Sequence, residues 1–196
     1  MRSLLKRLAT PRRTSGPGSS THTSAPHGID DEVLVSLIRD ETARWETASR
    51  AGLVAATGEV RRLLASGAQP EDPVPLVTGL SLSAEAIRRA TGYLPYDVQL
   101  LAAFALCRNQ IAQMQTGEGK TLSAIAAAVY LAMAGHGVHV MTPNTYLAER
   151  DAELAAGIAQ HLQLSAMFLP EQVEPSQKYA AYDCDITYAT NNELGF

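Results

Sequence analysis

Met114-Gln115-Thr116-Gly117-Glu118-Gly119-Lys120-Thr121 stands between an apolar run fit for a strand, residues 111–114, and a helical stretch, residues 119–134, closed by Gly135. A glycine-rich turn between a strand and a helix start is the setting of a phosphate-binding loop. Gly117 and Gly119 let backbone N–H groups turn inward to cradle phosphate oxygens, where a Cβ would obstruct them. The helix beginning near Lys120 points its positive dipole end at the same anion. The Lys120 ammonium can reach the β- and γ-phosphates, and the Thr121 hydroxyl can ligate Mg²⁺. The common G-x-x-x-x-G-K-(S/T) pattern has glycine where this chain has Met114, and Gly117 compensates.

Downstream of the loop, short apolar runs (138–142, 164–169 and 185–190) alternate with helical stretches (145–161 and 175–181). Strands alternating with helices of this length predict βαβ units and a parallel sheet, here of four strands counting 111–114. Upstream, four helices are expected. The first is capped by Asp30 or Asp31 and carries Val33, Leu34, Leu37, Ile38 and Trp45 near 3.6-residue spacing. The second carries Leu53, Val54, Val60, Leu63 and Leu64 and stops at Gly67. A third is expected over about 83–90, after the break at AQPEDPVP. Pro95 opens a fourth, with Val98, Leu100, Leu101 and Phe104 on its apolar face. The fold class is therefore α/β, a P-loop NTPase sheet of the RecA-like, helicase-type motor kind, incomplete and preceded by a small helical region. The expected organisation is a basic tail over 1–29, a helical lead-in over 30–92 and the first part of a nucleotide-binding domain over 93–196. DITYATNNELGF ends just after a strand without a closing helix, so the sequence reads as cut short.

Composition narrows the function classes. The hydrophobic fraction is 46%, and no run approaches the ~20 apolar residues of a membrane-spanning helix. Residues 1–29 hold five cations and no acid, leaving eleven cations against twenty acids, a net −9, in residues 30–196. An acidic body argues against a protein that coats nucleic acid. The tail from Ala9 to about residue 29 is rich in Ser, Thr, Pro and Gly and reads as a disordered linker. MRSLLKRL before it suits an organelle transit peptide, an anionic-lipid anchor or a solvated tail alike. Cys107 and Cys184 form no metal or disulfide pattern and read as small buried thiols. His136 and His139 do not converge on a metal.

A dinucleotide fold fails on two residues. Its fingerprint needs glycine at 122, which is Leu122, and an acid closing the second strand, where Thr142-Pro143-Asn144 stands. A nucleoside triphosphate is the better ligand.

The segments YDVQLLAAFAL (96–106), IAQMQTGEGKTLSAIAAAVYLA (111–132), GVHVMTPNTYLAERDAE (137–153) and CDITYATNNELGF (184–196) closely resemble the opening of SecA, the ATPase motor family of protein export. The resemblance runs from about residue 85 to 196. Ala102-Ala103 replaces a common Gly pair, Gln115 replaces Arg or Lys, and Pro143 and Thr145 depart in the turn after the second strand. These differences read as a divergent or accessory member. None touches the phosphate-binding residues.

The resemblance implies further roles. Gln99, 21 positions before Lys120, corresponds to a glutamine that contacts the adenine edge; by itself it could equally be an exposed polar residue. Tyr96 could stack on the base or pack beneath the loop. Arg150 corresponds to an arginine near the nucleotide phosphates; by itself it could pair with Glu153 or stay solvated. Asn191 and Asn192 correspond to a turn lining the substrate side. The implied ATP-binding set is Gln99, Thr116, Gly117, Glu118, Gly119, Lys120, Thr121 and Arg150, with ATP and Mg²⁺ as cofactors and Thr121 as the metal ligand. The implied partners are a preprotein and a SecYEG-type channel, with anionic lipid for the tail and no nucleic acid. The implied location is the cytoplasm, peripherally on the inner membrane, and organelle targeting by the basic start stays open. Turnover also needs an acidic pair ending a later strand. Asp183 and Asp185 precede their strand instead, so no catalytic residue is identifiable and hydrolysis by these residues alone is not expected. The alternatives are a DEAD-box-like RNA helicase fragment and a nucleotide-binding remnant that does not hydrolyse.

Overall fold

The computed structural model describes residues 30–195. The expectations for residues 1–29 lie outside them. Helix α1 spans Asp31–Trp45. Its N-cap is Asp30, whose carboxylate accepts from the Glu32 N–H at 3.0 Å. Leu34, Leu37 and Ile38 are buried as the spacing demands, while Val33 is exposed. Helix α2, Arg50–Ala65, is capped by Ser49 and ends before Gly67, whose φ is +105°.

Helix α3 corrects the expected third helix. It spans Pro73–Thr91 rather than about 83–90, with proline in its first turn and Gly92 in the left-handed conformation beyond its end. The prolines that read as a break instead start the helix, because a first-turn residue has no intrahelical N–H bond to lose. Every residue from Pro75 to Ile87 is buried. Such all-round burial marks a central helix surrounded by others. The Trp45 indole donates to Ser81 Oγ at 2.9 Å, tying α1 to it.

Helix α4 is Asp97–Cys107 and α5 is Lys120–Ala132. Then follow β1 (Val138–Thr142), α6 (Thr145–Ala159), a 3₁₀ turn (Gln160–Leu162), β2 (Ala166–Phe168), α7 (Pro175–Tyr182), β3 (Ile186–Thr190) and α8 (Asn191–Gly195). The short α8 corrects the expectation that nothing closes the last strand.

The sheet among the described residues has three parallel strands in the order β1-β3-β2, not four. Val138 lies beside Ile186 and Thr142 beside Thr190, while Ala166 and Phe168 flank Ile186 and Tyr188 on the other side. Residues 111–114 form no strand, and Ile111 is 98% exposed. A strand is defined by a ladder to a neighbour, and neither β1 nor β2 lends its free edge to this run. Alternation sets the two faces of β3. Ile186 and Tyr188 join the main core, shared by all of α1 to α6. Ala189 packs on the other face with Ala181 and Leu169, where Thr187 Oγ1 donates to the Ala181 carbonyl at 2.8 Å.

The lead-in and the sheet are also joined by polar contacts. Arg61 of α2 donates to Asp185 Oδ1 at 2.8 Å. The other oxygen of Asp185 accepts from the Ser165 N–H at 2.8 Å and the Ser165 hydroxyl at 2.9 Å. Asp185 thus ties α2 to the starts of β2 and β3. Cys107 is buried, and burial pushes its thiol well above the usual range. Cys184, in the bend between α7 and β3, is only partly buried.

Candidate nucleotide-binding site

The loop between α4 and α5 is held by its own backbone and by Gln99. Gly117 and Gly119 both lie at positive φ, +92° and +83°, the left-handed region that favours glycine. Gly119 caps α5, so Lys120 and Thr121 are its first two residues. The first N–H groups of a helix have no carbonyl a turn behind them. Those of α5 therefore face outward from the loop with the helix dipole behind them. Ser123 N–H is the first to turn back, donating to the Gly119 carbonyl at 3.2 Å.

Side chains fix the loop's outline. Glu118 Oε2 accepts from the Gln115 N–H at 2.6 Å. Lys120 Nζ donates to the Gln115 carbonyl at 2.7 Å, and Lys120 itself is exposed. Gln99 Nε2 donates to the Glu118 carbonyl at 2.9 Å, while Gln99 Oε1 accepts from the Tyr96 N–H at 3.0 Å. Gln99 is buried rather than an exposed polar residue of α4. An amide has two donors and two acceptor sites, so each end of Gln99 keeps one for another partner. Tyr96 is 72% exposed, which rules out packing beneath the loop. Ser123 Oγ donates to Met114 Sδ at 3.4 Å, so the methionine in the usual glycine position is a contact of α5.

A phosphate suits this arrangement on two observations. A Cβ built on Gly117 would meet nothing within 4 Å, so the approach to the loop is open. The donors along the turn are the first N–H groups of α5 and the exposed Lys120 ammonium, a set that recognises an anion.

Gln99, Gln115, Glu118, Gly119 and Lys120 are thus linked by direct contacts, with Thr116 and Gly117 between them in the chain and Thr121 next after Lys120. Arg150 is not joined to them. Its guanidinium donates to Asp151 Oδ1 at 2.9 and 2.6 Å. Asp151, less exposed than Glu153, takes the pairing that Glu153 offered as one alternative. Asp151 also raises the pKa of Tyr188, after the larger effect of burial, and the buried Tyr188 hydroxyl has no hydrogen-bond partner among the described residues. The reading from sequence missed the Glu118–Gln115 contact. Its signal was a carboxylate three residues after a free backbone N–H, the spacing of a cap.

The SecA DEAD-like domain family matches residues 28–196. A protein translocase subunit SecA of Anaplasma phagocytophilum is 38% identical over 196 residues, all of this chain and 21% of that protein. The SecA subunit of Gracilaria tenuistipitata is 46% identical over 121 residues, 62% of this chain and 14% of the relative. That of Thermosynechococcus vestitus is 40% identical over 164 residues, 84% of this chain and 17% of the relative. The chain spans about a fifth or less of the length of these curated relatives.

Proposed function

The chain belongs to the SecA DEAD-like domain family, and from that premise we propose that it is the ATP-binding N-terminal part of a SecA-type motor. In that motor, ATP binding and hydrolysis drive preproteins through a SecYEG-type membrane channel. One observation carries the reading. The left-handed Gly119 delivers Lys120 into the first turn of α5 while Gln99 holds the preceding carbonyl. Thr116, Gly117, Glu118 and Gly119 form the phosphate turn, Lys120 supplies the charge, and Thr121 is the Mg²⁺ ligand that this chain offers. Gln99 reads the adenine edge with its remaining donor and acceptor. Arg150 joins the phosphates after leaving Asp151. The bound Mg²⁺ neutralises phosphate charge.

The organisation that goes with this reading is a basic tail over 1–29, a helical lead-in over 30–92 and the first part of the nucleotide-binding domain over 93–196. The tail suits contact with anionic lipid and the body is net acidic, which fits a cytoplasmic protein peripheral to the inner membrane and not a nucleic-acid partner. Among the described residues no helix is long and apolar enough to cross a membrane. The family match favours this motor over an RNA helicase. No acidic pair follows an apolar strand in these 196 residues, so the chain binds Mg-nucleotide and hydrolyses ATP negligibly.

Titration calorimetry with Mg-ADP and Mg-ATP tests the site. Lys120→Ala removes a charge-assisted contact of about 1.5–3 kcal/mol, a loss of roughly tenfold or more in affinity. Equal affinity in wild type and variant overturns the assignment.

A further inference from the structure

Far from the loop, α5 carries a second constraint that its nucleotide chemistry does not require. Gly79 sits in the interior of α3, within the run of buried residues from Pro75 to Ile87. Glycine is the poorest helix former after proline, so it needs a reason there. The reason is Tyr130 of α5. A Cβ on Gly79 would lie 2.0 Å from Tyr130 Cδ2 and 2.4 Å from Cε2. The ring lies against bare backbone. Its hydroxyl donates to the Pro70 carbonyl, just before α3, at 2.6 Å. Tyr130 is fully buried. It cannot slide along α3 without losing the hydroxyl bond, nor turn away without opening a void against Gly79.

The other end of α5 is just as closely set. A Cβ on Gly119 would lie 2.1 Å from Gln99 Nε2, so the loop and α4 are also in tight contact. Between the two ends, residues 125–130 of α5 are all buried, and an α-helix transmits displacement as a rigid rod over the ~15 Å separating residues 120 and 130. We propose that Gly79 and Tyr130 are a positioning pair through which the lead-in helices set the placement of α5, and with it the phosphate turn at residues 116–121. This rests on the reading of that turn as the nucleotide site. The lead-in is then part of the binding machinery.

The test uses the full chain and two readouts, amide hydrogen exchange over residues 115–123 and calorimetric affinity for Mg-ADP. Gly79→Ala must push the ring back by at least 1 Å to bring the 2.0 Å approach out to 3.0 Å. It is expected to raise exchange over 115–123, beyond any rise at the slowest amides of β3, and to weaken Mg-ADP binding about fivefold, the usual scale of coupling through a packed element. Adding Tyr130→Leu removes the ring that the new Cβ meets but also its bond to Pro70, and is expected to recover both readouts part of the way. Exchange over 115–123 that follows β3 alone in Gly79→Ala, or a double variant that restores nothing, overturns the proposal. Should Gly79→Ala alone not fold, Tyr130→Phe decides: it keeps the ring, releases it from Pro70, and must raise exchange over 115–123, where no change overturns the pair's role. Exchange is read without nucleotide. A wild-type chain that fails to bind Mg-ADP therefore sinks the nucleotide reading, while exchange still decides the coupling.

Discussion

The Gln99 side chain holds the Glu118 carbonyl at 2.9 Å, in the residue just before the left-handed Gly119 that starts α5. The same amide nitrogen would lie 2.1 Å from a Cβ on Gly119. One glutamine therefore both fixes the loop and explains why its last position must be glycine. A residue expected to read a base is also a structural member of the glycine turn before α5.

Two glycines of this turn separate on substitution. Gly119→Ala meets both the positive φ and the Gln99 amide, and is expected to cost about 2–3 kcal/mol and to abolish Mg-ADP binding. Gly117→Ala faces open space, so only its φ matters and the cost is about 1 kcal/mol. Urea denaturation of both variants, with calorimetry on each, measures the difference. Equal costs would show that Gln99 yields easily.

Gln99→Ala removes both of the amide's bonds to the backbone. The expected stability loss is about 1–2 kcal/mol. The preference for ADP over GDP should narrow towards unity, because the group offered to the base is gone. Lys120→Ala serves as the contrast: its ammonium donates to an exposed loop carbonyl, so stability should hold while affinity falls for both nucleotides equally. A Gln99→Ala chain with unchanged nucleotide preference would leave the glutamine purely structural.

Asp185 is expected to matter more than an acid at a strand start usually does. Asp185→Ala leaves Arg61, the Ser165 hydroxyl and the Ser165 N–H without their carboxylate, at an expected cost of about 2 kcal/mol in urea denaturation. Asp185→Asn keeps an acceptor and should cost about half as much. The two variants costing the same would make the charge, rather than the geometry, the stabilising factor.

Stability should fall with acid in two stages. His161 is held below its ordinary 6.5, by burial first and then by Arg89 and Arg50. The unfolded chain takes up this proton more readily than the folded one, so the contribution is full above 6.5 and is lost as pH falls through the lower folded value. Burial works to raise the pKa of Glu85, but hydrogen bonds from Arg88 and Arg89 outweigh it and leave the carboxyl below its ordinary 4.5. Its contribution is present above 4.5 and is lost as pH falls beneath that. Urea midpoints across this range should show His161→Gln removing the upper stage and Glu85→Gln the lower. A Glu85→Gln curve with the wild-type slope below 4.5 contradicts the assignment.

Local chemistry wrote much of this protein directly into its sequence. Asp30 and Ser49 cap the helices they precede, Gly67 and Gly92 lie just beyond helix ends, and Gly117 and Gly119 mark the turn before Lys120. Each acts through bonds spanning a few residues, and so can be read one segment at a time. The bounds of β1, Val138–Thr142, are legible for the same reason. Strand pairing is not local. Apolar character made residues 111–114 resemble a strand, yet only a neighbouring ladder makes one, and the order β1-β3-β2 brings together segments far apart in the chain. The partners of Asp185 and Gln99 likewise depended on which groups folding brought within 3 Å. Gly79 shows the contrast most sharply. In the sequence it is a weakness inside a helix; in the tertiary structure it is the space that the ring of Tyr130 occupies, because close packing between helices depends on the shapes of residues that the chain places 51 positions apart.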